Sequence, residues 1–157
     1  MSDQRDFGVF YRDSREEMVR ALVLALGIRD LGVEAADEAF AKALERWDEV
    51  GGYEKAEGWV YRVGLNWARS KLRRRKFSMD SLFSGSVHID ELPDPGLLEA
   101  VEELSFKYRS VVVARFFLDW SIEQTAAALD IPAGTVKTRQ SRALERLRRR
   151  LGEHYES

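Results

Sequence analysis

Apolar residues recur every three or four positions through the first half of the chain, with polar residues between them. This spacing predicts amphipathic α-helices over residues 7–26, 34–47 and 57–75. The most apolar segment, Met18–Ile28, contains Arg20 and is too short to cross a bilayer, so we predict that it forms a buried helix. The Gly51-Gly52 pair interrupts the helical pattern and leaves Tyr53 on a loop.

Residues 77–94 have no helical period and are rich in Ser, Asp and Gly, which is typical of a linker between domains. Asp94 and Pro95 then form a helix start, and this helix is predicted to end near Leu104. Ser105 is the predicted N-cap of the next helix, FKYRSVVVARFFLDW. Its Val and Phe residues are also compatible with a buried strand, but its length and the neighbouring helices favour a helix.

The segment SIEQTAAALDIPAGTVKTRQSRALERLRRRL has the clearest local signals in the chain. Ser121 and Gln124 match the capping box, Asp130 tolerates a turn conformation, and Pro132 suits a first helical turn. These signals predict a helix-turn-helix with residues 133–150 as its recognition helix. An ordinary helical hairpin with a basic tail is the alternative. The predicted core positions are Ile122, Leu129, Ile131, Val136, Ala143, Leu144 and Leu147.

Positive charge is concentrated in two short stretches. Of the 25 Lys and Arg residues, seven lie in residues 62–76 and seven in residues 137–150, and Glu145 is the one acid in either stretch. The formal net charge is only -2, so the rest of the chain is acidic. This asymmetry indicates a polyanionic partner, with two solvated helix faces as the alternative.

The first basic stretch falls on one side of the predicted helix 57–75, because successive residues are rotated by about 100°. The remaining arc is apolar or small, which predicts burial over more than half of the helix circumference. A cationic strip can neutralise successive phosphates, and an exposed ring beside it can stack on an unpaired base. Trp67 is expected in the core, whereas Trp59 at the edge of the strip fits either role. The strip contains Arg62, Asn66, Arg69, Arg73 and Lys76.

The composition argues against several other classes of protein. The chain has no cysteine, which excludes disulfides, thiolate metal sites and thiol nucleophiles. His88 falls in the predicted linker and His154 near the end of the chain, and no Gly-rich phosphate loop is present. We therefore expect a cytoplasmic protein without a catalytic site, metal or cofactor.

These features together resemble the extracytoplasmic-function sigma factors of the bacterial sigma-70 family. EAADEAFAKALERW followed by GWVYRVGLNWARSKLRRR is similar to region 2 of the family, and the predicted helix-turn-helix is similar to region 4. The resemblance implies an all-α fold of two small helical domains, residues 1–76 and 95–157, joined by a flexible linker, residues 77–94. It also implies a role in promoter-specific transcription initiation, with region 2 melting the -10 element and region 4 binding the -35 element.

The resemblance assigns residues to each expected partner. For the -10 DNA they are Tyr53, on a loop that would hold a flipped base, and Trp59, Arg62, Asn66, Arg69 and Arg73. For the -35 DNA they are Lys137, Thr138, Arg139, Ser141 and Arg142. For the clamp helices of the largest RNA polymerase subunit they are Glu34, Asp37, Glu38, Phe40 and Ala41. The helices from Leu97 to Trp120 would lie on the flap of the second-largest subunit, and an anti-sigma factor is a further candidate partner.

Some positions depart from the family pattern. Glu34 and Asp37 stand where Asp and Gln are usual, and Asp130 replaces the usual turn glycine. Two other functions therefore stay open at this point. One is a stand-alone helix-turn-helix regulator, and the other is a sigma-like scaffold that binds polymerase without initiating.

Overall fold

The computed structural model describes residues 6–75 and 95–156, and these residues form an all-α fold with no strand among them. Lys76 and the predicted linker, residues 77–94 including Asp94, lie outside the described residues. The prediction of two domains joined by that linker therefore stays a prediction. The helices are α1 (Phe7–Leu26), α2 (Arg29–Glu45), α3 (Trp47–Val50), α4 (Ala56–Arg74), α5 (Pro95–Glu102), α6 (Phe106–Val112), α7 (Ile122–Leu129) and α8 (Ala133–Glu156).

The first helix has the bounds that its apolar spacing predicts. The Asp6 carboxylate caps its start by accepting the Gly8 amide at 2.7 Å. Its end is set by Gly27, whose φ of 76° is the left-handed conformation that glycine adopts without strain. Because this single residue reverses the chain, α2 begins at Arg29, earlier than the predicted start at residue 34.

Close helix packing in the first half depends on small residues. A Cβ added to Gly32 would lie 2.6 Å from Val23 Cα, so α2 touches the backbone of α1. A Cβ added to Gly64 would lie 2.9 Å from Leu22 Cδ1, which brings α4 against the same helix. Helices α1, α2 and α4 therefore enclose one core, which includes Phe10, Met18, Leu22, Leu26, Ala35, Ala39, Phe40, Val60, Tyr61 and Leu65.

The second predicted helix is shorter at its C-terminal end than its pattern indicates. Helix α2 stops at Glu45, and Trp47 begins the separate short helix α3. The Trp47 ring packs 5.3 Å from the Phe7 ring and 5.0 Å from the Phe10 ring, measured between centroids. This aromatic contact turns the chain before the Gly51-Gly52 pair, and residues 51–55 form the predicted loop.

In the second half, the Val and Phe run is helical, as expected. Helix α6 continues into one wide π-helical turn, Val113–Phe117, whose last bond joins the Leu118 amide to the Val113 carbonyl at 2.9 Å. Ser105 occupies the predicted N-cap position of α6 but makes no side-chain capping bond, and its buried hydroxyl has no partner among the described residues. A second core forms between α5, α6 and α8 from Ala100, Val101, Leu104, Tyr108, Val112, Ala143 and Leu147.

The two halves of the chain are packed together. Val113, Ala114, Leu118, Trp120 and Ala128 belong to the same buried cluster as the residues of α1, α2 and α4. The first core therefore continues across the π-turn and α7.

Two of the helical glycines, Gly32 and Gly134, give a matched stability test. Gly32→Ala forces a methyl group against the Val23 backbone and should lower the free energy of unfolding by about 1–3 kcal/mol. A Cβ added to Gly134 in α8 would have no neighbour within 4 Å. Gly134→Ala should therefore raise the free energy of unfolding by roughly 0.5–1 kcal/mol. Urea denaturation followed by circular dichroism measures both changes. Equal effects of the two substitutions would contradict the close α1–α2 contact.

Candidate nucleic-acid interface

Helix α4 presents the predicted cationic strip on one face. Its buried side includes Val60, Tyr61, Leu65, Ala68 and Leu72, so more than half of its circumference is covered. Asn66, Arg69 and Arg73 are exposed, and Arg62 is half-buried beside them. Lys76, the last predicted member of the strip, lies outside the described residues.

Most of the charge on this strip is not neutralised within the described residues. No described carboxylate forms an ion pair with Arg62, Arg69 or Arg73. The exception on this helix is Lys71, which donates a hydrogen bond to Glu34 and lies 5.1 Å from the centroid of the half-buried Trp67 ring. The hydrogen bond from Lys71 holds the pKa of Glu34 below its usual value.

The strip borders a cleft between the two halves. Arg62, Asn66 and Arg69 form one wall, and residues of α6, α8 and the turn after α7 form the other. The Arg69 guanidinium lies 5.1 Å from the centroid of the Phe106 ring. Arg139, a residue expected to read the -35 element, lines the same cleft, and no carboxylate lies among its lining residues.

The loop after α3 forms a second cleft. Tyr53 is 38% exposed, and its hydroxyl donates to Glu49 Oε1 at 2.7 Å. Glu49 Oε2 accepts from Arg46 at 3.0 Å, so the carboxylate is held from both sides. The hydrogen bond to Glu49 raises the pKa of the Tyr53 phenol. Tyr53, Trp59 and Arg62 line this cleft opposite Gln124 and Ala127 of α7.

Trp59, which the sequence left open between a core residue and an exposed contact, is buried in the core. Its side chain belongs to the first core, with 8% of the residue exposed, and the Arg46 guanidinium lies 5.9 Å from its ring centroid. Helix α7 packs against the adjoining turn, since a Cβ added to Gly58 would lie 3.2 Å from Ala128 Cβ. As described, only the edge of Trp59 in the cleft can reach a nucleic acid.

The helix-turn-helix is built by the residues that predict it. The Ser121 hydroxyl accepts the Gln124 amide at 3.0 Å, and Gln124 Oε1 accepts the Ser121 amide at 2.9 Å, which completes the capping box. Asp130 ends α7 in the left-handed conformation, with φ of 56°. Helix α8 begins directly after Pro132, and Val136, Ala143 and Leu147 are buried on it.

The exposed face of α8 carries the predicted base-reading side chains. Lys137, Thr138, Ser141 and Arg142 are exposed, and Arg139 is half-buried in the first cleft. The Thr138 hydroxyl donates to the Gly134 carbonyl at 3.0 Å, which orients its oxygen lone pairs away from the helix axis.

Two residues outside the predicted set hold the recognition helix. Arg115 Nε donates to Gln140 Oε1 at 2.8 Å, and the same guanidinium donates to the Trp120 carbonyl. The Tyr108 phenol accepts a hydrogen bond from Arg142, which lowers its pKa, and the Arg146 guanidinium lies 4.7 Å from its ring centroid. In the sequence, Arg115 is a charged residue within an apolar run, and this position could have indicated a buried polar contact.

The expected polymerase-binding residues divide between surface and core. Glu34, Asp37, Glu38 and Ala41 are exposed on α2, and Asp37 pairs with Arg15 at 3.6 Å. Phe40 is 2% exposed and packs its ring 5.7 Å from Phe10 and 5.1 Å from Tyr11. The expectation that Phe40 contacts a partner is therefore corrected, because in this structure its ring belongs to the aromatic core.

Within 6–75 and 95–156, no group of three or more His, Asp or Glu side chains is arranged to hold a metal ion. None of the helices in these ranges is both long and apolar enough to span a membrane.

Comparisons with known proteins agree with this geometry. Residues 96–147 match the family model for sigma-70, region 4. The RNA polymerase sigma-E factor of Streptomyces antibioticus is 34% identical over 157 residues, covering 87% of this chain and 83% of the relative. The ECF RNA polymerase sigma factor SigW of Bacillus subtilis is 28% identical, covering 75% of this chain and 74% of the relative. The sigma factor RpoE, solved in complex with the anti-sigma factor NepR from Bartonella quintana, is 24% identical with a TM-score of 0.73, covering 92% of this chain and 97% of that chain.

A helix-turn-helix packed beside a helical bundle, with a cationic strip that has no carboxylate partner among the described residues, fits a DNA-binding protein of the sigma-70 type. The chain belongs to the extracytoplasmic-function class of RNA polymerase sigma factors. Its role is accordingly in transcription initiation, with RNA polymerase and DNA as partners.

The Tyr53–Glu49 hydrogen bond can be tested by titration. Glu49→Gln replaces the carboxylate that accepts the phenol hydrogen bond with a weaker, neutral acceptor and also removes its negative charge, so the Tyr53 pKa should fall toward its ordinary value. NMR of ¹³Cζ-labelled tyrosine through the alkaline range measures the midpoint. Glu54→Gln, which removes the neighbouring exposed carboxylate, is the control and should leave the midpoint of the Tyr53 titration unchanged. A similar fall in both variants would show that general charge, rather than this contact, sets the value.

Proposed function

We propose that α4 and the loop at residues 51–55 capture the melted -10 element, while α8 reads the -35 element. The observation that carries this proposal is the strip of Arg62, Arg69 and Arg73, which has no carboxylate partner among the described residues. A cationic strip without internal partners gains free energy by binding phosphates and releasing their counterions.

Opening of the duplex is driven by binding alone in this proposal. Extruding one base costs a few kcal/mol, and contacts in a pocket offset that cost. Tyr53 is exposed at the mouth of the second cleft and provides a flat ring for a flipped base. Arg62 lines the same cleft and would hold the adjoining phosphate.

The -35 contacts are assigned to the first turns of α8. Lys137, Ser141 and Arg142 are exposed on one side of the helix and can donate to base edges or phosphates. When one of two weak DNA-binding surfaces on the same chain is bound, the other is at a high effective concentration near its own element. Neither surface therefore needs high affinity for DNA on its own.

Contacts with the polymerase are proposed for α2 and for the helices from Leu97 to Trp120. Glu34, Asp37 and Glu38 give α2 an exposed acidic face that would dock on the clamp helices of the largest subunit. The second set would dock on the flap of the second-largest subunit. An anti-sigma factor is a further proposed partner.

Transcription with core RNA polymerase is the direct test of this function. Core enzyme supplemented with this protein should produce defined transcripts from genomic templates, and mapping of their 5′ ends should reveal a shared upstream motif. Core binding without transcripts would instead support a scaffold role. Tight binding to duplex DNA without polymerase would support a stand-alone regulator.

The strip itself is tested by Arg62→Ala combined with Arg69→Ala. Loss of two phosphate contacts should weaken promoter opening and reduce the slope of log affinity against log salt by roughly 1 to 2. The double variant Arg12→Ala and Arg29→Ala removes the same charge from exposed positions outside the strip. Permanganate reactivity of unpaired thymines across a salt series measures both effects. A slope that changes equally in both pairs would argue against a specific strip.

A further inference from the structure

Two cations of the first cleft have no role in the proposed DNA contacts. Arg139 follows Lys137 by two positions in α8, so it lies about 200° round the helix from that exposed side chain. Arg139 is half-buried and lines the cleft, whereas Lys137, Ser141 and Arg142 are exposed on the other side of α8. Lys107, in the first turn of α6, lines the same cleft. The position of these two side chains is therefore not explained by promoter binding.

The cleft brings four positive charges together without an acidic neighbour. Arg62 and Arg69 line one wall, and Lys107 and Arg139 line the other. In the part of the chain that the structure describes, none of the four forms an ion pair, and no carboxylate belongs to the lining. Like charges in a cleft repel one another, so an anion that binds between them relieves this repulsion.

The rest of the lining can hold a flat, apolar group. Phe106, Leu129 and Ile131 are half-buried and lie beside the cations in the cleft. The Arg69 guanidinium is 5.1 Å from the centroid of the Phe106 ring, and the exposed Asn66 amide can both donate and accept hydrogen bonds. The cleft encloses about 360 Å³, which lies within the range of small-molecule sites. Its lining thus matches a ligand with an anionic chain at one end and a ring at the other.

We propose that the first cleft binds a small nucleotide that carries a di- or triphosphate. Arg62, Lys107 and Arg139 would hold the phosphates, since guanidinium groups bind phosphate oxygens in pairs. The base would lie against Phe106, Leu129 and Ile131. Arg62 and Arg69 also belong to the strip assigned to the -10 element, so nucleotide and single-stranded DNA would compete for them. This competition rests on the proposed function, whereas the nucleotide site does not.

Calorimetric titration of the full chain in magnesium-free buffer tests the site. ATP and GTP are the nucleotide probes, sodium tripolyphosphate supplies the phosphate chain alone, and adenosine supplies the ring alone. At least one nucleotide should bind at one site per chain, roughly tenfold more tightly than tripolyphosphate, because the ring adds apolar contacts. Absence of saturable binding by both nucleotides would overturn the proposal. Equal affinity for tripolyphosphate and the nucleotides would overturn the assignment to a nucleotide.

Single substitutions locate the site. Lys107→Ala and Arg139→Ala should each weaken nucleotide binding roughly tenfold or more, because each removes a charged donor to the phosphates. Arg148→Ala removes the same charge from an exposed position of α8 outside the cleft and should leave the affinity unchanged. Circular dichroism of each variant checks that the helices are intact. Equal losses in all three variants would show that general charge attracts the nucleotide and would overturn the site.

Displacement of DNA tests the competition. The nucleotide that binds should release a fluorescein-labelled oligo(dT) from the wild-type protein. Lys107 is not part of the -10 strip, yet Lys107→Ala should raise the nucleotide concentration needed for release by roughly tenfold, in parallel with its weaker nucleotide binding. Nucleotide that binds without releasing oligo(dT) would overturn the competition and leave the site.

The experiments also separate this proposal from the proposed function. Absence of promoter transcripts with core polymerase would overturn the proposed function, while calorimetry would still decide whether the nucleotide site exists. Defined transcripts from a protein that binds neither ATP nor GTP would overturn the nucleotide site and leave the proposed function intact.

Discussion

A single guanidinium joins two helix ends from different halves of the molecule. Arg109 is 1% exposed, and it donates to the Ala25 carbonyl in the last turn of α1 and to the Leu104 carbonyl just beyond α5. Carbonyls at helix C-termini lack partners within their own helix and carry partial negative charge. A cation placed between two such ends satisfies both, which offsets part of the large desolvation penalty of a buried charge. This one residue therefore helps to fix the position of α6 against α1.

The two faces of helix α4 have different roles, one in core packing and the other in presenting positive charge. Its buried face supplies Val60, Tyr61 and Leu65 to the first core and Gly64 to the contact with α1. Because that face is fixed by packing, the arginines on the other face have a fixed direction as well. Lys71 is paired with Glu34, whereas Arg62, Arg69 and Arg73, the residues proposed to bind DNA, have no carboxylate partner among the described residues. Folding and the proposed binding of nucleic acid thus depend on separate residues of one helix.

Local signals in the sequence were sufficient for most helix positions. The capping box at Ser121 and the turn at Asp130 were predictable because each involves residues only a few positions apart. The start of α2 was missed because a glycine inside a helix normally weakens it, whereas Gly32 is there to let two backbones touch. The hydroxyl of Ser105 makes no capping bond although its position is right.

The candidate site was predictable as a set of residues but not as a geometry. Periodicity identified the cationic face of α4, since that depends on spacing alone. It could not show that Arg139 faces Arg62 and Arg69, that Phe40 and Trp59 are buried, or that Arg115 holds Gln140. Each of these facts depends on contacts between distant segments. The polymerase and promoter assignments come from family resemblance rather than from any local pattern.

The π-turn at Val113–Phe117 has a consequence for how this segment can evolve. One extra residue in a helical turn advances everything that follows by about 100° of rotation and 1.5 Å of rise. Here that advance brings Trp120 under the Tyr61 ring and sets the direction in which the helix-turn-helix leaves the bundle. Chain length between Val113 and Trp120 is therefore constrained in addition to the identity of the buried side chains. A one-residue deletion there would rotate the helix-turn-helix relative to the first helical bundle.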